Sequence, residues 1–166
     1  MIQVYTGNGK GKTTAAIGLA IRAVGAGNRV YFGQFVKKGC YHEIKLLRKI
    51  RKIKLEQFGR GCFIKSPLKE DIALARNGLR KIRQALAGRA YGVVVLDEVN
   101  IALNLGLLEL DEVIALLKSA PKKIEIILTG RNAHPQIIKM ADLVSEMKDV
   151  KHYYAKNIKA RKGIEY

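Results

Sequence analysis

Residues Thr6-Gly7-Asn8-Gly9-Lys10-Gly11-Lys12-Thr13-Thr14 have types and spacing suited to holding a polyphosphate. Gly7, Gly9 and Gly11 permit a tight turn with inward-pointing backbone N–H groups, Lys12 reaches phosphate oxygens, and the Thr13 hydroxyl is a ligand for Mg2+. One position departs from the usual pattern. The glycine expected five residues before Gly11 is Thr6, and Gly7 comes one residue late. A glycine-rich turn without a ligand is the competing reading. Lys10 and Lys12 argue against it, because two cations beside inward N–H groups repel unless an anion fills the loop.

Two carboxylates follow the apolar run that ends in Val95-Leu96-Asp97-Glu98. In doubly wound sheets ligands collect at the carboxyl ends of strands, which makes Asp97 and Glu98 the candidates for holding Mg2+ beside the phosphate loop. The competing reading has Asp97 capping the next helix and Glu98 solvated. A further run ends in Thr129-Gly130-Arg131-Asn132, bringing a hydroxyl and an arginine to the same edge. Arg131 is a candidate for holding substrate or a carboxylate, with an ordinary surface loop as the alternative. Gln34-Phe35-Val36-Lys37-Lys38-Gly39 and a loop with Tyr41, His42 and Glu43 follow the second run, and Phe58-Gly59-Arg60-Gly61-Cys62-Phe63 follows the third. Glycines beside aromatics there suit a lid or a seat for a large ring system, or plugs under a turn.

The elements that must position these residues are legible in the apolar pattern. Strand-like runs fall at Ile2–Thr6, Arg29–Phe35, Ile53–Phe58, Gly92–Leu96 and Ile124–Thr129, and Ala15 through Ala26 is helix-forming. Ser66-Pro67 followed by Leu68, Ile72, Leu79, Ile82 and Leu86 reads as an N-cap, a proline in the first turn and an amphipathic helix ending near Gly88. Leu110, Val113, Ile114, Leu116 and Leu117 mark another helix stopped by Pro121, and His134-Pro135 opens a short one. Strands alternating with helices predict an α/β fold: a mostly parallel sheet with helices on both faces. The runs Val93-Val94-Val95-Leu96 and Ile124-Glu125-Ile126-Ile127-Leu128 are mostly apolar, as expected of strands buried on both sides.

At 166 residues and 48% apolar content, residues 1–166 are expected to form a single domain able to bury a core. No apolar segment approaches the roughly 18 residues of a membrane span. Met1 leads straight into the first strand-like run, so no signal peptide is read and a cytoplasmic protein is expected. Cys40 and Cys62 are expected as free thiols without zinc, since two cysteines make no disulfide framework and lack metal-ligand spacing. The formal charge of +17 raises three kinds of partner: nucleic acid, polyanionic small molecules, or an acidic protein. Basic and apolar residues alternate over 45–54, which reads as a solvated helix face. The basic tail ends in Gly163-Ile164-Glu165-Tyr166, which suggests docking rather than a free end.

These segments together resemble the P-loop corrinoid adenosyltransferases. The resemblance rests on residues 6–14 with their late glycine, Gln34-Phe35 with Lys37 and Gly39, Leu96-Asp97-Glu98, Leu128-Thr129-Gly130-Arg131, Ala141-Asp142-Leu143-Val144-Ser145-Glu146-Met147, Val150-Lys151-His152 and the C-terminal signature. It runs from Ile2 to Tyr166.

The resemblance implies a RecA-like fold and a reaction in which a Co(I) corrinoid attacks C5′ of ATP and inorganic triphosphate leaves. It assigns Gly7, Asn8, Gly9, Lys10, Gly11, Lys12, Thr13, Thr14 and Arg131 to the nucleotide. Thr13 and Glu98, with Asp97, are assigned to Mg2+, for which Mn2+ is a possible substitute, and Lys12, Thr13 and Glu98 to catalysis. It further implies a homodimer and an acidic reductant such as flavodoxin; neither membrane nor nucleic acid is an expected partner. The family's aromatic pair against the corrin is absent, leaving Phe63 as the substitute candidate. The family's N-terminal extension over the site has no counterpart before Ile2, so closure is expected to be weaker or supplied by a partner subunit. An ordinary P-loop ATPase or kinase and a basic nucleic-acid-binding module are the rival readings.

Overall fold

The computed structural model describes residues 1–39, 41–61, 64 and 66–165. Cys40, Cys62 and Phe63 therefore lie outside the described residues. Six strands among those described form one sheet: β1 (Ile2–Thr6), β2 (Val30–Phe35), β3 (Ile53–Phe58), β4 (Val93–Asp97), β5 (Glu125–Thr129) and β6 (Leu143–Glu146). Their order is β3-β2-β4-β5-β1-β6 and each neighbouring pair is parallel.

Strand alternation divides the core into two layers. Val93 and Val95 face one way, against Ala16, Ala20 and Ala23 of α1 (Lys12–Gly25) and Leu47 of α2 (His42–Leu47). The three alanines recur on one helical face and let α1 approach the sheet closely. Val94 and Leu96 face the other way. They pack with Leu79 and Ile82 of α3 (Lys69–Ala87), Ala102 of α4 (Val99–Asn104), Val113 and Leu116 of α5 (Leu110–Ser119) and Ile137 of α6 (Pro135–Met140). Fully buried side chains such as Phe32, Leu96 and Leu128 each contribute about 1.5–3 kcal/mol by leaving water. Helices thus cover both faces, as the sequence pattern predicts.

Three local expectations are corrected. Ser66 and Pro67 precede α3 rather than cap it; its N-cap is Leu68, whose N–H donates to Asp71 Oδ2 at 2.9 Å. Arg60 fixes that carboxylate with two 2.7 Å bonds, so the helix begins where Asp71 can satisfy a free N–H. The segment from His42 is helix α2 rather than loop and buries Ile44 and Leu47, but it ends at Leu47, so the basic stretch 45–54 is not one helix face: it leaves the helix, turns and enters β3 at Ile53, with Lys45, Arg48 and Lys49 exposed. The sixth strand, β6, is exposed throughout and carries no buried alternation; pairing with β1 makes it a strand, Thr6 lying opposite Glu146. No described helix is long and apolar enough to cross a membrane.

Candidate active site

The pairing of β1 with β6 accounts for the late glycine. Thr6 remains in strand β1: its carbonyl accepts from Met147 N–H at 2.9 Å and its hydroxyl accepts from Ala133 N–H at 3.2 Å. The chain turns only at Gly7, with φ +93°. A Cβ on Gly7 would lie 2.5 Å from the Met147 carbonyl oxygen, and one on Gly9 2.7 Å from that of Lys148. Both glycines are therefore required by the backbone leaving β6. Gly9 N–H donates to Met147 O at 2.6 Å rather than pointing into the loop. Gly11, at φ +117°, is the N-cap of α1, and Lys12, Thr13 and Thr14 form its first turn, with Thr14 exposed.

The expectation that Lys10 and Lys12 repel without a bound anion is corrected, because the protein supplies both with acceptors. Lys12 Nζ donates to the carbonyls of Gly7 and Gly9 at 2.7 Å each. Lys10 Nζ donates to Ile164 O at 3.0 Å and pairs with Glu165 at 2.9 Å. The C-terminal tail docks on the phosphate loop as expected, but through the Ile164 carbonyl and the Glu165 carboxylate rather than through its apolar side chains, that of Ile164 being exposed.

Asp97, at the end of β4, is fully buried and is the centre of the polar site. Its Oδ1 accepts from Thr13 Oγ1 at 2.9 Å and from Thr129 Oγ1 at 2.7 Å, and its Oδ2 accepts from Gln34 Nε2 at 2.9 Å. The sheet order explains the bridge: β5 lies between β4 and β1, so its terminal Thr129 stands between the carboxylate and the loop strand. Gln34 Oε1 accepts from Gln57 Nε2 at 2.8 Å, extending the chain of bonds to β3. Every acceptor lone pair used on Asp97 faces a donor, which is what makes a buried carboxylate tolerable. Asp97 does not cap α4; that position belongs to Glu98, which makes no side-chain cap.

Glu98 adopts φ +59°, a left-handed conformation uncommon for a residue with a side chain, and its N–H donates to Thr129 Oγ1 at 2.9 Å. Its carboxylate pairs with Lys37 at 3.0 Å. Burial works to lower the Lys37 pKa, but the Asp97 and Glu98 charges outweigh it and the net direction is up. Lys12 moves the other way: burial lowers its pKa against the pull of Glu98, and Arg131 and Lys37 add to the lowering. An added polyanion would reverse that balance and hold Lys12 charged.

The donor set fits Mg2+. Thr13, Asp97 and Glu98 offer only oxygens, and the Thr13 hydroxyl already donates its hydrogen to Asp97, leaving its lone pairs free. Mg2+ uses one or two carboxylates and takes its remaining ligands from water and phosphate. Arg131 is exposed and donates to Asn8 O at 3.4 Å, so it lies over the phosphate loop; Asn8 is exposed beside it. Phe63 lies outside the described residues. Sequence reasoning missed Gln57, Met147 and Lys148 as supports of the site. Gln34 had a signal, a polar residue near the end of an otherwise apolar strand.

A phosphate loop between β1 and α1, facing a buried aspartate at the end of β4, defines a P-loop nucleotide-binding α/β fold. Solved structures agree: a KaiC-like protein of Pyrococcus horikoshii superposes with a TM-score of 0.58 at 19% identity, covering 90% of this chain and 72% of that one. The flagellar accessory protein FlaH of Methanocaldococcus jannaschii gives 0.58 at 15% identity, covering 87% and 69%. At those identities the likeness shows the RecA-like fold alone. The family description "ATP:corrinoid adenosyltransferase BtuR/CobO/CobP" matches residues 1–166. The corrinoid adenosyltransferase of Pseudomonas aeruginosa is 39% identical, covering 100% of this chain and 83% of its own length. Those of Escherichia coli K12 and Salmonella typhimurium are 36% and 37% identical, each covering 100% of this chain and 85% of theirs. The chain belongs to the ATP:corrinoid adenosyltransferase family.

Proposed function

We propose that this site transfers the 5′-deoxyadenosyl group of ATP to the Co(I) centre of a corrinoid, in adenosylcobalamin biosynthesis or salvage. The carrying observation is that Lys12, Thr13, Asp97 and Glu98 meet at one sheet edge in a chain matching the family along its full length. In this reaction the Co(I) lone pair forms the bond to C5′, the C5′–O bond breaks, and its electron pair leaves on triphosphate. No proton is removed, so no general base is required.

The protein's work is then positioning and charge stabilisation. Lys12 leaves the Gly7 and Gly9 carbonyls for phosphate oxygens, with Lys10 and Arg131 adding positive charge from the loop and the neighbouring strand end. The N–H groups of Gly11, Lys12 and Thr13 lie at the α1 N-terminus, where developing negative charge is favoured. Asp97 orients the Thr13 hydroxyl, and Thr13 and Glu98 would hold Mg2+. When bound, Mg2+ offsets charge building on the departing triphosphate. Asn8, Gly7, Gly9 and Thr14 belong to the nucleotide's surroundings.

A homodimer, a cytoplasmic location and an acidic reductant such as flavodoxin complete the reading. The exposed cations Lys45 on α2 and Arg48 and Lys49 just after it, with the net charge of +17, support an acidic partner. The test is an anaerobic assay with chemically reduced Co(I) corrinoid and MgATP, following loss of the Co(I) band and release of triphosphate. Alkylation with triphosphate release is expected. Phosphate or ADP without alkylation would instead indicate an ordinary P-loop ATPase or kinase.

A further inference from the structure

Between the phosphate loop and the segment after β6 lies a cavity of about 360 Å3. Its lining includes Lys10, Lys148, Lys151 and Lys156 against one carboxylate, Asp149. The segment is built to hold that shape. His152 Nδ1 accepts from Tyr154 N–H at 3.1 Å, opening a short 3-10 turn over Tyr153–Lys156, and Asn157 reverses the chain at φ +55°. Arg161 then packs on the Tyr153 ring, 4.4 Å from its centroid, and pairs with Glu165 at 3.1 Å. Glu165 reaches back to Lys10, closing the segment on the loop.

Four ammonium groups around one small cavity repel one another, and Glu165 is the carboxylate that meets the one nearest the loop. Arg161 and then Lys10 hold its carboxyl well below the usual range, at about 2, so it is ionised at any working pH. Lys10 uses two of its three N–H donors on the Ile164 carbonyl and Glu165, so an entering phosphate chain finds one donor free and competes with the Glu165 carboxylate for the ammonium's charge.

We propose that this cavity is a polyphosphate-binding site continuous with the phosphate loop and gated by Glu165. An entering polyphosphate displaces the Glu165 carboxylate from Lys10, and Lys148, Lys151 and Lys156 take the anion from the tail side. The ligand class is a linear phosphate chain bearing several charges, because four cations overmatch a single phosphate. Glu165 is a positioning residue: it keeps Lys10 at the cavity mouth while no anion is bound, and competes with the anion for it. This inference rests on the nucleotide reading of the loop.

The test is calorimetric titration of the full-length protein with inorganic tripolyphosphate at fixed ionic strength, without corrinoid or reductant. Glu165→Gln removes the competing charge and is expected to bind tripolyphosphate about two- to fivefold tighter, the scale of one exposed ion pair. Lys151→Ala/Lys156→Ala is expected to bind it at least about fivefold weaker, with thermal melting close to the parent's. Pyrophosphate, with less charge to share, should distinguish the variants less. Unchanged or weaker binding by Glu165→Gln overturns the gate, and unchanged binding by the folded lysine variant overturns the site. Tripolyphosphate binding without adenosyl transfer would leave this inference standing and remove the functional reading; transfer without these affinity changes would do the reverse.

Discussion

Thr13, in the first turn of α1, donates its hydroxyl hydrogen to Asp97 at the end of β4, 2.9 Å away and 84 positions along the chain. This bond joins the phosphate loop to the carboxylate edge of the sheet. It also orients the Thr13 oxygen, leaving its lone pairs available to Mg2+. Asp97 is itself held from behind by Gln34, which is fully buried.

Replacing Asp97 by alanine leaves the Gln34 Nε2 donor buried without an acceptor. The expected cost is about 1–3 kcal/mol, a fall in melting temperature of roughly 2–12 °C for a chain of this size. Asp97→Asn should cost less, because the amides of Gln34 and Gln57 can both reverse and pass the mismatch out towards Arg48, which is exposed. Thermal melts of the two variants check the ordering; equal losses would contradict the relay.

Lys12→Ala should abolish adenosyl transfer while preserving the far-ultraviolet spectrum. Its two bonds to loop carbonyls are worth about 0.5–1.5 kcal/mol each, so the melt should fall by a few degrees. The lost charge stabilisation should reduce turnover by at least about 10²–10³-fold. Turnover near that of the parent protein would remove Lys12 from the mechanism.

Glu98→Gln should raise the Mg2+ concentration needed for half-maximal activity, because the carboxylate that follows Asp97 at the end of β4 becomes neutral. A direct Mn2+ titration by electron paramagnetic resonance, in the presence of ATP, should show the same weakening. An unchanged metal curve would count against the assignment.

Gly7→Ala should lower both stability and ATP affinity. The positive φ alone costs on the order of 1–3 kcal/mol, and the new Cβ would press on the Met147 carbonyl. Gly106→Ala is the control: φ is +67° there, but nothing lies within 4 Å of the added carbon. It should lose stability through φ alone and keep ATP affinity, as titration calorimetry would reveal.

Acid should release the C-terminal tail only at very low pH. The folded-state pKa of Glu165 is depressed from its ordinary 4.5 to about 2, so its contribution to docking is complete above 4.5 and is lost as pH falls through about 2. Carbon NMR of the labelled Glu165 carboxyl should titrate near that lower value. A midpoint near 4.5 would show that the contacts with Arg161 and Lys10 do not hold in solution.

Much of this architecture was legible because burial writes a period into the chain. Five strand runs and the helices after Ala15, Leu68, Leu110 and Pro135 stood out by apolar spacing or by glycine and proline punctuation. β6 did not, since its four residues are all exposed and only its pairing with β1 marks it as a strand. The true start of α3 was hidden for a similar reason, because Asp71 caps it only with Arg60 holding the carboxylate in place. Of the site, the loop lysines, Thr13, Asp97 and Glu98 were visible as chemistry at strand ends, whereas Gln57 and Met147 carried no such mark.

The sequence by itself determined the alternation of strands and helices, the phosphate-loop residues and the family, because local propensity and residue chemistry act over short spans. Only the tertiary structure decided why the glycine comes late, how Asp97 meets Thr13 through a sheet that puts β5 between their strands, and that Glu165 closes on Lys10. Those depend on parallel pairing and on hydrogen bonds between groups far apart in the chain. Such contacts leave no periodic trace along the residues that make them.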